Sequence, residues 1–574
     1  MSRRRPVRRV VIMSPNLQRR SPFDFLAALL ASRPAAPAGA RILLVVALGA
    51  VAGPATVLRA LPDAGSLSSV GSRWFANEAI DGRLPSNGDG FATAMATGDF
   101  NGDGAADLAT GMPNDDGPED SLVSNAGAVI VRWGVPGQGL GSATTLLSLF
   151  ASGGVASAHS SDFYGSALAA GDFDGDGRDD LAVGVPSPGD FTDGSFVVIH
   201  RGLPGGIELA AQQLFRPGEG GVPVVPGDYD VFGAALAVGN FNADSYDDLA
   251  IGAPQNNLND GCGGVVVLHG GPTGLSTADA FLIHQSDPQL PDTCEQPDHF
   301  GAALTAGNFN GDRWCFMNHC FEPYDDLAIG APGEDGEGAV MVLFGSPNSL
   351  LFASALYLGQ GDLGGSGGES GDQFGWALAS GDTNWDGFAE LAIGAPYEDL
   401  GASNQFADAG EVTILFGAAS GFDYGQTARR SKNSLLDAGP LGDSRFGSSL
   451  AMADFDRDGK RDLAVGIPGD TVRGSAAGAA VVFLSEANRS FSRYRLQYPG
   501  GNGIPPGEQP GAQFGATLAA GDFDADGHAD LVLGAPFRDL AGVSDSGVET
   551  VLYGSLCSDG FASGDLTFWS ASAP

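Results

Sequence analysis

The sequence predicts an all-β fold: a seven-bladed β-propeller built from four-stranded antiparallel blades. Three observations lead there. One unit recurs seven times, at intervals of 68 to 74 residues. Each copy holds short apolar runs bounded by Gly and Pro, the mark of strands. No segment carries helical periodicity, and a parallel β-helix would need repeats several-fold shorter.

In chain order the copies start at Gly90, Tyr164, Phe232, Phe300, Phe374, Phe446 and Phe514; the second reads YGSALAAGDFDGDGRDDLAVGVP. The stretch before each acidic loop and the D-L-A-x-G stretch after it are expected as the first two strands. Third strands are expected at Ala128–Trp133, Val265–His269, Ala339–Phe344, Val412–Phe416 and Val548–Tyr553. Weaker fourth strands fall at Thr145–Phe150 and Phe281–His284. The fourth copy is split by the insertion RWCFMNHCFEP. A terminal strand must seal the ring, which otherwise leaves open sheet edges. Both Ser72–Ala76 and Leu566–Ser570 fit, and the pattern does not choose between them.

Ahead of the repeats, residues 1–41 are rich in arginine, and residues 42–53 are apolar or small. Ala50-Val51-Ala52 supplies a cleavage pattern, so 1–52 is expected to be a targeting segment of the secretory type. A retained amino-terminal anchor, or a start at Met13 or later, is the alternative. Residues 53–71 are expected as a linker, 72–570 as the propeller and 571–574 as a tail. No other stretch is long and apolar enough to cross a bilayer. The mature chain is expected outside the cytoplasm, as a monomer.

The 574 residues carry a formal net charge of −40. Nine arginines and one carboxylate, Asp24, lie in residues 1–52, leaving 20 cations against 68 carboxylates beyond. Such a balance excludes a nucleic-acid binder, which needs clustered Lys and Arg, and disfavours an anionic membrane surface. A hydrophobic fraction of 43 % with 34 Phe is too high for a disordered chain.

The acids concentrate in the loops between the first two strands. Asp172, Asp174, Asp176 and Asp180 take positions 1, 3, 5 and 9, Gly177 takes position 6, and the carbonyl of Arg178 at position 7 is available as a further ligand. Alternate residues of a tight loop converge their oxygens, and hard oxygen donors in that number suit Ca²⁺. An EF-hand would close with Glu at position 12; here position 9 closes the loop, and turn chemistry alone does not demand four acids at fixed spacing. Equivalent sets are Asp99, Asn101, Asp103 and Asp107; Asp382, Asn384, Asp386 and Glu390; Asp454, Asp456, Asp458 and Asp462; and Asp522, Asp524, Asp526 and Asp530. The third set, Asn240, Asn242, Asp244 and Asp248, loses its Gly to Ser245. The fourth set is Asn308, Asn310 and Asp312, with Asp326 beyond the insertion. Charge ranks loops two, six and seven first and loops three and four last, with about five calcium ions expected.

The Phe-Gly pairs, the D-x-D-x-D-G-x-x-D loops and triplets such as Gly252-Ala253-Pro254 resemble FG-GAP repeats. The array over residues 72–570 is similar to the propeller head of integrin α subunits. Two copies depart, with Phe91-Ala92 in the first and Gly184-Val185-Pro186 in the second. The resemblance implies calcium loops on one face of the disc. It places the strand two-to-three loops and the inter-blade loops on the other, where integrins bind ligand. On that map Cys262 and Cys294 share a face and are expected to form a disulfide. Cys315 and Cys320 lie in the insertion and either pin it or stay free. A zinc site adding His319 lacks a fourth ligand, and Cys557 is left over. The resemblance brings no leg domains or cytoplasmic tail.

No catalytic constellation emerges. Gly364–Gly368 fits G-x-S-x-G and Gly359–Gly364 fits G-x-G-x-x-G, but neither sits between a strand and a helix. The chain is therefore expected to be a non-enzymatic module binding an extracellular protein or glycan. Its candidate contact loops are 114–125, 216–229, 284–298 and 397–409. The rivals are an extracellular carbohydrate-active enzyme and a structural matrix protein.

Overall fold

The computed structural model describes residues 59–60, 68–76 and 87–554. Within the last stretch, 119–122, 151–156, 188–193, 211–212, 225–230, 256–260, 296, 317–318, 364–367, 402–403, 436–441, 472–474, 487–488, 500–503, 505–508 and 541–542 fall outside the described residues. Also outside lie the targeting segment 1–52, the candidate strand 566–570, Cys557 and the tail.

Among the described residues seven four-stranded antiparallel blades are present, each running first to fourth strand in space. The first strands are Met95–Gly98, Ala167–Gly171, Ala235–Gly239, Ala303–Gly307, Ala377–Gly381, Leu450–Ala453 and Thr517–Gly521. They pack side by side in cyclic order, the last against the first, and so surround the axis. The second strands, from Asp107–Met112 to Asp530–Ala535, are buried at every position. Neighbouring blades cover both of their faces, which is why the sequence there runs apolar without alternation. Fourth strands such as Leu351–Gly359 are partly exposed. The cores lie between blades: Phe173, Val197 and Ile199 of blade two pack with Phe232, Leu249 and Ile251 of blade three.

The glycines of the repeat answer one steric demand. A Cβ on Gly252 would sit 2.1 Å from the carbonyl oxygen of Gly301 in the next blade, and the same holds at 2.0–2.2 Å for Gly111, Gly184, Gly330, Gly394 and Gly466. The partner glycines take left-handed φ, as at Gly301 (+91°), which glycine adopts without steric cost. The motif is the contact of two backbones. Where the first copy has Phe91-Ala92, Ala92 keeps the left-handed conformation at φ 67°.

The amino-terminal strand closes the ring. Ser68–Ala76 pairs antiparallel with Val548–Tyr553 and becomes the outer strand of blade seven. It begins four residues ahead of the expected boundary at 72, and Arg59–Ala60, in the expected linker, adds a short parallel strand to blade six. Cys262 and Cys294 form the expected disulfide, with Cα atoms 5.6 Å apart. The insertion is a hairpin, Arg313–Phe316 against His319–Pro323, that sets Cys315 opposite Cys320 in register. No helix among the described residues is long and apolar enough to cross a membrane.

Candidate metal centre

Each acidic loop links the first strand of a blade to the second, and position 9 is the first residue of the second strand. Its carboxylate is buried in every copy: Asp107, Asp180, Asp248, Asp326, Glu390, Asp462 and Asp530. In most copies two backbone amides hold it. Asp107 Oδ2 accepts from Phe100 N at 3.1 Å and Oδ1 from Gly134 N at 2.8 Å. Asp248, Asp326, Asp462 and Asp530 repeat the pair, with donors at position 2 and just after the third strand. The fifth copy differs in two coupled places: Glu390 replaces Asp, and Thr383 replaces Phe. Thr383 donates both its N–H and its hydroxyl to the longer carboxylate, at 2.5 and 2.7 Å.

Position 1 ties the turn. Asp172 accepts from Asp176 N and Gly177 N at 3.0 and 2.9 Å, and Asp522 accepts from Asp526 N and Gly527 N at 3.0 and 2.8 Å. Position 6 has φ near +87° in copies two, five, six and seven, which accounts for its glycine.

Burial raises the position-9 carboxyls above the usual range, to about 7 at Asp107 and Asp180 and about 8 at Asp326, Asp462 and Asp530. Backbone donors pull the other way, while loop acids such as Asp103 and Asp99 beside Asp107 push further up. Anionic groups crowded in this way favour a cation among them.

The loops differ in how they satisfy their acids. In loops two, six and seven three carboxylates bring ligand oxygens within 4.8 Å of one another: Asp172, Asp174 and Asp176; Asp454, Asp456 and Asp462; Asp522, Asp524 and Asp530. The position-3 acids Asp456 and Asp524 keep a buried oxygen without a hydrogen bond, while the corresponding Asp174 oxygen is paired with Arg201. Arg178 and Lys460 pair with Asp176 and Asp458 from position 7. A buried carboxylate oxygen without a donor suits a metal ligand. In the Asn-bearing loops the amides supply the missing donors. Asn242 Nδ2 donates to Asp244 at 3.1 Å and Asn310 Nδ2 to Asp312 at 2.8 Å. Asn101 and Asn384 do the same for Asp107 and Glu390 at 3.3 and 2.9 Å. Asn240 and Asn308 donate to the carbonyls of Asp244 and Asp312. Asp312 alone among these keeps an orphaned oxygen. Asp103 and Asp386 accept backbone N–H groups from Ala105 and Phe388, and Arg489 reaches Asp386 at 3.2 Å.

Sequence reasoning missed what joins the loops. The N–H at position 8 of each blade donates to the position-1 carbonyl of the blade before it: Asp179 to Asp99, Asp247 to Asp172, Asp325 to Asn240, Ala389 to Asn308, Arg461 to Asp382, Ala529 to Asp454 and Ala106 to Asp522, all at 2.8–3.1 Å. Seven bonds make a closed ring through the candidate ligands. In blades two to four the position-8 carboxylates of Asp179, Asp247 and Asp325 also accept the position-1 N–H, at 2.8–3.0 Å. The Asp-Asp doublets of copies two, three and four, 179–180, 247–248 and 325–326, were the available signal.

The opposite face carries a different chemistry. At the end of blade five away from its loop, Trp376 is 44 % exposed and stands edge-on to Tyr397, centroids 6.1 Å apart. Arg445 Cζ lies 5.4 Å from the Tyr397 ring.

Residues 91–131, 164–200, 232–268, 374–415, 446–483 and 514–550 match the FG-GAP repeat family. These are six of the seven copies; the fourth is the one split by the hairpin. The chain is an FG-GAP-repeat β-propeller, similar to that of integrin α chains. It is 29 % identical to integrin alpha-PS2 of Drosophila melanogaster over 262 residues, 44 % of this chain and 16 % of that protein. It is 30 % identical to human integrin alpha-IIb over 265 residues, 44 % of this chain and 22 % of that one. Bovine phosphatidylinositol-glycan-specific phospholipase D is 30 % identical over 188 residues, 32 % of this chain and 20 % of the relative. The matched stretch is thus under a quarter of each relative's length.

Proposed function

We propose that this chain is a secreted or cell-surface propeller, stabilised by calcium and free of catalytic activity, that binds a protein or glycan through the face opposite its acidic loops. One observation carries the reading: the two faces differ in kind. One face holds converging carboxylates on a hydrogen-bonded ring. The other presents the Trp376–Tyr397–Arg445 patch, aromatic surface with a cation, which suits sugar rings and protein hot spots alike. The donor set of loops two, six and seven, all hard oxygen and with buried orphans in loops six and seven, fits Ca²⁺; loops one and five add weaker sites. Likeness to integrin α chains supports ligand binding, and the disulfide suits an oxidising compartment.

The test is a glycan array and a protein pull-down with the purified chain in calcium, run beside a Trp376→Ala/Tyr397→Ala variant. Retention by wild type and loss in the variant, with the melting temperature unchanged, is the expected result. Equal retention by both discards the face assignment, and turnover of polysaccharide by the purified chain replaces the binding reading with an enzymatic one.

A further inference from the structure

The insertion in the fourth repeat carries two of the chain's five cysteines, and its backbone brings them together. Asp312 takes position 5 of the fourth acidic loop and Asp326 takes position 9. In the other six loops three residues make that step. Here the chain leaves as Arg313–Phe316 and returns as His319–Pro323, an antiparallel hairpin.

The register of that hairpin decides which residues meet. Phe316 pairs with His319, with two residues of sequence between them, and Cys315 pairs with Cys320. A pair flanking a two-residue turn is of the hydrogen-bonded kind, because the other kind would need a bond between the two adjacent turn residues. Antiparallel pairs alternate in kind, so Cys315 and Cys320 form a non-hydrogen-bonded pair. Residues directly opposite in such a pair have Cα atoms about 4.5 Å apart and stand on one side of the ladder. A disulfide needs Cα atoms about 4.4–6.8 Å apart, with Cβ vectors that do not diverge. The backbone alone thus meets the requirement. The register shift between Arg313 and Cys315 lies on the side away from the turn and leaves these two pairs contiguous.

Two further observations bear on the same pair. The frame around the insertion is fixed before any sulfur bond is made. Asn308 Oδ1 accepts from Gly311 N at 2.7 Å, Asn310 Oδ1 from Asp312 N at 2.9 Å, and Asp326 Oδ2 from Phe309 N at 2.8 Å. Both strands therefore start from anchored ends, and closing a bond between them demands little further ordering. The fold also carries one disulfide already, Cys262–Cys294, across a sequence separation of 32. Disulfides persist where thiols are not kept reduced, and the hairpin pair shares that setting.

We propose that Cys315 and Cys320 form a second disulfide, which staples the insertion hairpin within the fourth acidic loop. The bond forms by exchange with a small disulfide such as oxidised glutathione. One cysteine thiolate attacks a sulfur of that disulfide and releases one glutathione thiolate; the other cysteine thiolate then attacks the mixed disulfide and releases the second. Two electrons pass to the glutathione disulfide, and the two protons of the cysteine thiols end on the released glutathiones.

The experiment equilibrates the folded full chain in glutathione buffers of rising oxidised fraction, alkylates free thiols, and reads the unreduced digest by mass. Cys262–Cys294 is the internal standard, and the series runs until that bond is complete. At that point the peptide holding Cys315 and Cys320 is expected to have lost two hydrogens and to carry no alkyl group. Alkylation of both while Cys262–Cys294 is closed overturns the proposal, as does a bond from either to another cysteine. The staple itself is read by limited proteolysis of Cys315→Ser/Cys320→Ser in the oxidised buffer. Cleavage tracks the population of the opened hairpin, so the double variant is expected to be cut within residues 313–323 about tenfold faster than wild type. Equal cleavage of the two discards the stapling role. Should the double variant fail to fold, the alkylation result decides alone.

Discussion

Tyr164 Oη lies 2.7 Å from His200 Nε2, and both side chains are fully buried. His200 Nδ1 is 2.9 Å from the Glu208 carbonyl. The carbonyl can only accept, so Nδ1 carries the proton and Nε2 accepts from the tyrosine. Blade three has Phe232 and Leu268 at the same two positions, since Leu181 pairs with His200 as Leu249 pairs with Leu268. The second copy's departure from Phe-Gly is therefore one half of a matched polar pair.

Either half alone is predicted to be worse than neither. Tyr164→Phe or His200→Leu should each cost about 1–3 kcal/mol by leaving a buried polar group unpaired. The double variant should recover most of that in denaturant melts, with a coupling energy measurable in the cycle.

Burial lowers the His200 pKa to about 4 from 6.5, against a smaller raising effect of the Glu208 carbonyl. The folded state thus binds fewer protons than the unfolded. This stability is present above pH 6.5 and drains as pH falls from 6.5 towards 4, by on the order of 3 kcal/mol. His200→Leu/Tyr164→Phe is expected to flatten the fall in melting temperature over that window.

The ring seam depends on a buried ion pair. Arg132 Nε is 3.3 Å from Glu549 Oε1, and Thr110 Oγ1 donates to Glu549 Oε2 at 2.7 Å. Arg132 also stacks 3.9 Å over Phe75 of the closing strand. Arg132→Met should cost about 3–5 kcal/mol, because Glu549 is left charged and unpaired between blades one and seven. Adding Glu549→Gln should restore part of the lost denaturation midpoint.

The contact between Phe-Gly and Gly-Ala-Pro segments makes opposite forecasts at two sites. Gly252→Ala drives a Cβ to 2.1 Å from the Gly301 oxygen and is expected to abolish soluble folded protein. Ala92→Gly relieves a left-handed alanine and is expected to raise stability by about 1 kcal/mol, read as a shift in thermal midpoint.

For the acidic loops, Asp524→Asn removes a carboxylate from a converging set. It should lower the calcium count by one and shrink the difference between melting temperatures in calcium and in EDTA. At free calcium a hundred times Kd each lost site is worth about 2.7 kcal/mol. Asn242→Asp, in a loop its own amides satisfy, should leave the midpoint in EDTA unchanged or lower, since it trades a donor for a like charge.

Much of this was written locally. The Phe-Gly pairs, the loop spacing and the D-L-A-x-G runs repeat because every blade meets the same neighbours, so one copy instructs the reading of the rest. The ranking by charge and the convergence of Asp172, Asp454 and Asp522 with their partners both follow from Asp being an acceptor where Asn also donates. Less legible were Asp179, Asp247 and Asp325, whose carboxylates serve the preceding blade and not their own loop.

By itself the sequence determined the class of fold, the number of blades and the residues of each acidic loop, because those are set within about ten residues of chain. Only the tertiary structure decided that Ser68–Ala76 seals the ring. Only it set Arg132 against Glu549, and Gln285 among the acids of the next blade. Those partners are remote along the chain, and closing the circle is the physical step that brings them together.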